Sequence, residues 1–156
     1  MLNNDILQNI KNYYDVYWGI NSIYENWAKH HDLTINSLFT LYLIYENPGH
    51  CTLSFLCEKL LFPKQTINTI LDSFEEKGYL VRETSAKDKR SKNILLTKAG
   101  GQYAASLLTE LLNFEQEAFL QMSSAEREGM MNGNFAFYHN LKEALEKSEK
   151  QSGGIR

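Results

Sequence analysis

A chain of 156 residues with 43% hydrophobic and 22% charged side chains has the length of one domain and enough apolar content to bury a core, which excludes a disordered protein. No stretch approaches the roughly 18–20 uncharged apolar residues that a membrane span needs, and the opening "MLNNDILQNIKNYYDVYWG" is too polar for a signal peptide, so a cytoplasmic protein without a membrane partner is expected. The net charge of −3 is unevenly distributed: residues 59–98 carry nine Lys/Arg against five Asp/Glu, and the rest of the chain carries seven against fourteen.

From Asn4 to His30, Ile6, Ile10, Tyr13, Tyr17, Ile20, Tyr24 and Trp27 recur every three or four residues, which predicts one long amphipathic helix. A second helix is expected after Thr34 as N-cap, with Leu33 and Leu38 at staple positions, Leu41, Ile44 and Tyr45 in its apolar run, and Pro48 and Gly49 as its stop. Thr52 then caps a short helix carrying Leu53, Leu56 and Leu60, and three residues later Pro63 opens a further helix that ends at Gly78. That helix places Ile67, Ile70, Leu71 and Phe74 on one stripe and Lys64, Gln65, Asn68, Thr69, Asp72 and Ser73 on the other. A short helix, a brief turn and a second helix with a hydrogen-bonding outer face is a helix-turn-helix.

"YLVRET" and "KNILLT" are rich in β-branched and large apolar residues and read as two antiparallel strands, with "SAKDKRSKN", residues 85–93, at the hairpin tip. Thr97 caps a helix from about Lys98 to Met122, apolar at Leu107, Leu108, Leu111, Leu112, Phe119 and Leu120, whose first turn Gly100 and Gly101 weaken. Ser123 and Glu126 have the spacing of a capping box for a last helix with Met130, Phe135, Tyr138, Leu141 and Leu145, and residues 148–156 read as a frayed tail.

The chemistry these elements suggest is recognition rather than catalysis. Gln65, Asn68 and Thr69 suit base edges in a major groove, where amide side chains pair bidentately. The hairpin would stand beside that helix as a wing, with Lys87, Lys89 and Lys92 on phosphates and Arg90 in the minor groove, its guanidinium oriented by Asp88. Cys51 and Cys57 fit neither a disulfide framework nor a zinc site and read as small core residues, and His30, His31, His50 and His139 lack metal-ligand spacing. No metal and no cofactor is expected. With no Gly-rich phosphate loop, no Ser/His/Asp order and no carboxylate pair in an evident pocket, an enzyme is not expected either.

Residues 53–100 resemble the winged helix-turn-helix core of the MarR family of bacterial transcription regulators. The likeness rests on Thr66 and Ile67 early in the recognition helix, "FEEKGYLV" at 74–81, the Asp-x-Arg of Asp88 and Arg90, and "LTKAG" at 96–100; with the preceding helix it covers residues 33–100. The resemblance implies a mainly α fold with a small β-hairpin wing, in which a winged helix-turn-helix lobe at 33–100 joins a helical dimerisation layer made by 4–30 and 101–147. It also implies a homodimer that binds double-stranded DNA at a pseudo-palindromic operator, as a repressor, with Lys64, Gln65, Thr66, Asn68 and Thr69 of the recognition helix at the DNA. In many members a small amphipathic or phenolic effector releases the DNA, and Tyr13, Tyr14, Tyr17, Trp18 and Tyr42 would line its pocket. Pro63 stands where the family usually has Ser or Thr, and Thr69 and Ser73 where Arg is common, which predicts fewer phosphate contacts and a shallower salt dependence. The alternative class is a winged-helix protein-interaction module without DNA binding.

Overall fold

The computed structural model describes residues 3–84 and 92–152. Helix α1 spans Asn4–His30, α2 Ile35–Glu46, α3 Leu53–Leu60 and α4 Lys64–Glu76; strands β1 (Leu80–Thr84) and β2 (Lys92–Leu96) follow, then α5 (Lys98–Gln121) and α6 (Ser124–Ser152). The chain divides into two compact units, Met1–Leu108 and Thr109–Arg156, with the boundary inside α5 rather than at a linker.

Side-chain caps set most of the helix starts. The Thr34 hydroxyl accepts from Ser37 N at 3.1 Å and the Thr52 hydroxyl accepts from Phe55 N at 3.2 Å, satisfying donors that a helix start leaves orphaned. Such caps are each worth about 1 kcal/mol. Leu33 and Leu38 are both buried, closing the staple around Thr34. A side chain ties α1 to α2 as well: Glu25 Oε2 accepts from Ile35 N at 3.2 Å, beside the Tyr24–Phe39 ring pair.

The core of the first unit lies where α2, α3, α4 and the hairpin meet. Leu38, Leu41 and Ile44 of α2, Leu56 of α3, Ile67, Leu71 and Phe74 of α4, Leu80 of β1 and Ile94 of β2 are all nearly or wholly buried. The strands are antiparallel with Leu80 opposite Leu96, Arg82 opposite Ile94 and Thr84 opposite Lys92. β2 has a second neighbour: Ile94 N donates to Cys51 O at 2.8 Å and Asn93 bridges Thr52, so the hairpin is tied to the segment that opens α3.

The passage from α4 into β1 and from β2 into α5 is one hydrogen-bonded junction. Gly78, at φ +72°, ends α4 in the left-handed region that favours glycine, and Tyr79 N returns to Phe74 O at 2.9 Å. Thr97 N donates to Tyr79 O at 3.0 Å, the Thr97 hydroxyl donates to Gly78 O at 2.7 Å, and the same hydroxyl oxygen accepts from Gly100 N at 3.0 Å. Gly100 is therefore a fitting requirement rather than only a weak point in the helix: a Cβ there would lie 1.8 Å from Tyr79 O. The Tyr79 and Tyr103 rings stack over the junction with centroids 4.5 Å apart, and burial, with the Tyr79 and Asp32 charges behind it, raises the Tyr103 hydroxyl above its ordinary range.

In the second unit the capping box forms as expected. Glu126 N donates to Ser123 Oγ at 3.2 Å, while the Ser123 hydroxyl and Ser123 N each donate to Glu126 Oε2 at 2.7 Å; these two bonds, the hydroxyl's first, hold the Glu126 carboxyl below its usual range. Arg127 donates to Phe119 O at 2.9 Å and to Met122 O, closing the end of α5. One expectation needs correcting. Of the stretch read as frayed from 148, residues 148–152 are helical, because Glu and Lys are good helix formers, and residues 153–156 lie outside the described residues. Pro63, expected to open α4, is its N-cap.

Gly100→Ala should lower the unfolding free energy by about 3 kcal/mol, the upper range for forced overpacking, because the new methyl meets backbone that cannot rotate away. Gly101→Ala, with nothing within 4 Å of the added Cβ, should be neutral or stabilising by up to about 1 kcal/mol. Urea unfolding at one fixed protein concentration tests both; equal losses at the two positions would contradict the junction described here.

Candidate nucleic-acid interface

The burial of Ile67, Ile70, Leu71 and Phe74 decides which way α4 faces. With 3.6 residues per turn, Gln65, Thr69 and Asp72 lie opposite that stripe, Asn68 and Glu75 flank it on the wing side, and Thr66 and Ser73 flank it on the other. Gln65 and Thr69 are exposed, as is Lys64 at the helix start; Thr66 and Asn68 are half-buried. The recognition-helix residues expected from sequence are thus brought together on one accessible surface. Thr34 and Asn36 of α2 join Pro63, Gln65, Thr66, Thr69 and Ile70 around a depression of about 570 Å³ beside it.

Local hydrogen bonds set what these side chains offer. The Thr69 hydroxyl donates to Gln65 O at 3.0 Å, so its proton is spent on its own helix and its lone pairs and methyl are left for a partner. No side chain caps α4, since Pro63 has none to give, and the N–H groups of its first turn remain available to an anion. Charge along α4 is graded: Lys64 opens it and Asp72, Glu75 and Glu76 close it.

Arg82 is the residue that reading the sequence missed. Its position on β1 puts it on the same strand face as buried Leu80, and its side chain is only 18% exposed. From there the guanidinium reaches three residues of α4. Nη2 donates to Asp72 Oδ1, Nη1 to Asn68 Oδ1 at 3.5 Å, and Nε lies 3.3 Å from Glu75 Oε2 without being aimed at it for a hydrogen bond. Asp72 and Glu75 are substantially exposed, so each ion pair is worth under about 1 kcal/mol; what they fix is direction. The signal was present in the alternation of "LVRET", where Arg82 occupies an inward phase, and in acids spaced three apart on the preceding helix.

On the wing itself, Lys92 is exposed at the start of β2. The readings of Lys87, Asp88, Lys89 and Arg90 fall outside the described residues. Tyr13, Tyr14, Tyr17 and Trp18 form a run of ring contacts along α1, from the Tyr13–Tyr14 pair at 5.7 Å to an edge-on Tyr17–Trp18 pair at 4.9 Å. Within one chain these four and Tyr42 of α2 are 38–64% exposed, so they do not enclose a cavity by themselves. Cys51 is fully buried, as expected, and burial pushes its thiol up to about 12, but Cys57 is only half-buried. No group of three or more His, Cys, Asp or Glu able to hold a metal occurs among the described residues.

An α3–turn–α4 pair beside an antiparallel hairpin, with polar side chains outward and a clamped wing strand, defines a winged helix-turn-helix module of the kind transcription regulators carry. A family model described as the MarR family matches residues 31–91. The HTH-type transcriptional regulator SarZ of Staphylococcus aureus is 30% identical over 105 residues, 67% of this chain and 68% of SarZ. Among solved structures, FabT of Streptococcus pneumoniae in complex with DNA is 25% identical, with 88% of this chain and 99% of that chain covered at a TM-score of 0.71. The S. aureus MepR–DNA complex is 24% identical, with 86% and 97% covered at 0.67. The chain belongs to the MarR family of transcription regulators.

The two thiols should behave differently in the native protein. At pH 8 a thiol reagent should label Cys57 first and leave Cys51 untouched until denaturant is added, because Cys51 is both inaccessible and far below its ionisation range. Equal labelling rates would contradict the burial of Cys51.

Proposed function

We propose that the protein is a sequence-specific regulator that docks α4 in a major groove of double-stranded DNA, binds a pseudo-palindromic operator as a homodimer, and represses by occupying a promoter. The observation that carries this reading is the accessible polar face of α4, held at a fixed angle to the hairpin by the junction at Tyr79 and by Arg82. The DNA complexes of FabT and MepR, which share the fold, support it. Exposed Gln65 and Thr69, with half-buried Asn68 beside them, would read bases, while Lys64 and the uncapped first turn of α4 would hold a phosphate. In the wing, Lys87, Lys89 and Lys92 would neutralise phosphates and Arg90 would enter the minor groove, aimed by Asp88.

Dimerisation is supported by apolar surface that one chain leaves open. Ile6, Ile10, Tyr17 and Ile20 on α1, and Phe135, Tyr138, Leu141 and Leu145 on α6, are all more than 40% exposed, which favours a second copy over solvent. The aromatic run of α1 with Tyr42 would line an effector pocket once such a second copy closes over it. One feature favours the alternative of a protein-interaction module: the acidic second half of α4, with Asp72, Glu75 and Glu76, repels phosphate.

Mobility shifts over promoter fragments at increasing salt separate the two. The DNA reading expects affinity to fall linearly on a log–log salt plot with a slope of roughly −0.9 per phosphate neutralised. Arg90→Ala should weaken binding more than Lys87→Ala, and Asp88→Ala should reproduce much of the Arg90 loss. Absence of any salt-sensitive shift would sink the DNA reading and leave the interaction module. Tighter binding by Asp88→Ala would reduce that aspartate to a repulsive charge.

A further inference from the structure

Asn68 stands at the wing-side edge of the α4 outer surface, one turn before Asp72 and two before Glu75. The Arg82 guanidinium lies along this stripe: Nη1 donates to Asn68 Oδ1 at 3.5 Å, Nη2 donates to Asp72 Oδ1, and Nε sits 3.3 Å from Glu75 Oε2. The Asn68 contact is the longest of the three, and the two carboxylates keep the guanidinium where it can make it. A guanidinium has donors and no acceptor, so it decides which end of a carboxamide turns toward it. That end is the oxygen.

An unrestrained asparagine offers its oxygen and its NH2 side by side, the pattern that pairs bidentately with N6 and N7 of adenine. With its oxygen held by the guanidinium, the Asn68 carboxamide is fixed in orientation; the oxygen keeps one further lone pair, and the two N–H donors carry no contact to Arg82. Two donors match the neighbouring acceptors O6 and N7 of guanine. Resting on the DNA reading above, we propose that Arg82 is a positioning residue for base readout: by holding the Asn68 carboxamide oxygen it biases Asn68 toward donating, favouring guanine over adenine at its base pair. Arg82 acts from the rear of the interface through Asn68, consistent with its largely buried side chain.

Selection from a random duplex pool, followed by affinity measurements on the enriched sequence, tests this. The Asn68 base pair is identified as the position whose preference disappears in Asn68→Ala. At that pair the wild-type protein should favour G·C over A·T by about thirtyfold, the middle of the range for a good direct contact. Arg82→Met should shift that one preference toward A·T and leave the other positions as they were. If Arg82→Met does not fold, Asp72→Asn with Glu75→Gln releases the guanidinium from surface positions and should give the same shift. A wild-type preference for A·T at the Asn68 pair overturns the proposal. So does an Arg82→Met protein that binds every sequence more weakly with unchanged preferences, which would make Arg82 a structural tie alone. A wild-type protein that enriches no sequence and shows no salt-sensitive shift contradicts the DNA reading itself, and the proposal falls with it.

Discussion

The Tyr79 carbonyl is the point on which the arrangement of α4 and the hairpin depends. It accepts from Thr97 N, it leaves no space for a side chain at Gly100, and it follows directly on the glycine that ends α4. One peptide group thus joins the end of the recognition helix, the first strand, the return strand and the start of α5. Because each partner is backbone or a short threonine, the junction has few rotamers to explore and little freedom to change angle. The bridge from β2 to the segment opening α3 closes the hairpin on its other edge. A hairpin fixed on two sides holds its strands at a constant distance from α4, which a reader of two adjacent grooves requires.

Charge decides which half of α4 can approach DNA. The helix opens with Lys64 and uncapped N–H groups and closes with three acidic residues, so its field and its side chains both favour the N-terminal half at the groove. Arg82 partly neutralises the acidic half from behind and, in doing so, takes hold of Asn68. A single strand residue thereby links the stiffness of the module to the hydrogen-bonding character of its surface. Pro63, which the sequence alone marks as a lost contact, has a second effect: without a side-chain cap the first turn of α4 keeps its donors for an anion.

Much of the fold was legible because it is encoded by local, short-range signals. The limits of α1, the threonine caps before α2, α3 and α5, the Ser123–Glu126 box and the buried stripe of α4 all follow from periodicity and capping within a few residues. What escaped depends on distance in the chain. The Arg82 ties to Asn68 and Asp72 span fourteen and ten residues and appear only when strand and helix are packed. Gly100 read as a helix weakness because its neighbour, Tyr79, lies twenty-one residues earlier in the chain and is brought close only by the fold. Cys57 read as core because composition does not say which side of a two-turn helix faces inward. For the interface, residue types on α4 were readable from sequence, whereas the polarity each presents was not, since intramolecular hydrogen bonds set it.

In the function proposed above, α4 and the hairpin work as one rigid reader, used twice on a two-fold site. Chemical footprinting of a bound promoter fragment addresses it most directly, with guanine N7 methylation reporting the major groove and hydroxyl-radical cleavage reporting the backbone. Two patches of major-groove protection centred about one helical turn, roughly 34 Å, apart, each flanked by protected minor groove, is the result the account predicts. Protection confined to the backbone with unaltered N7 reactivity, or a single unpaired patch, would contradict it.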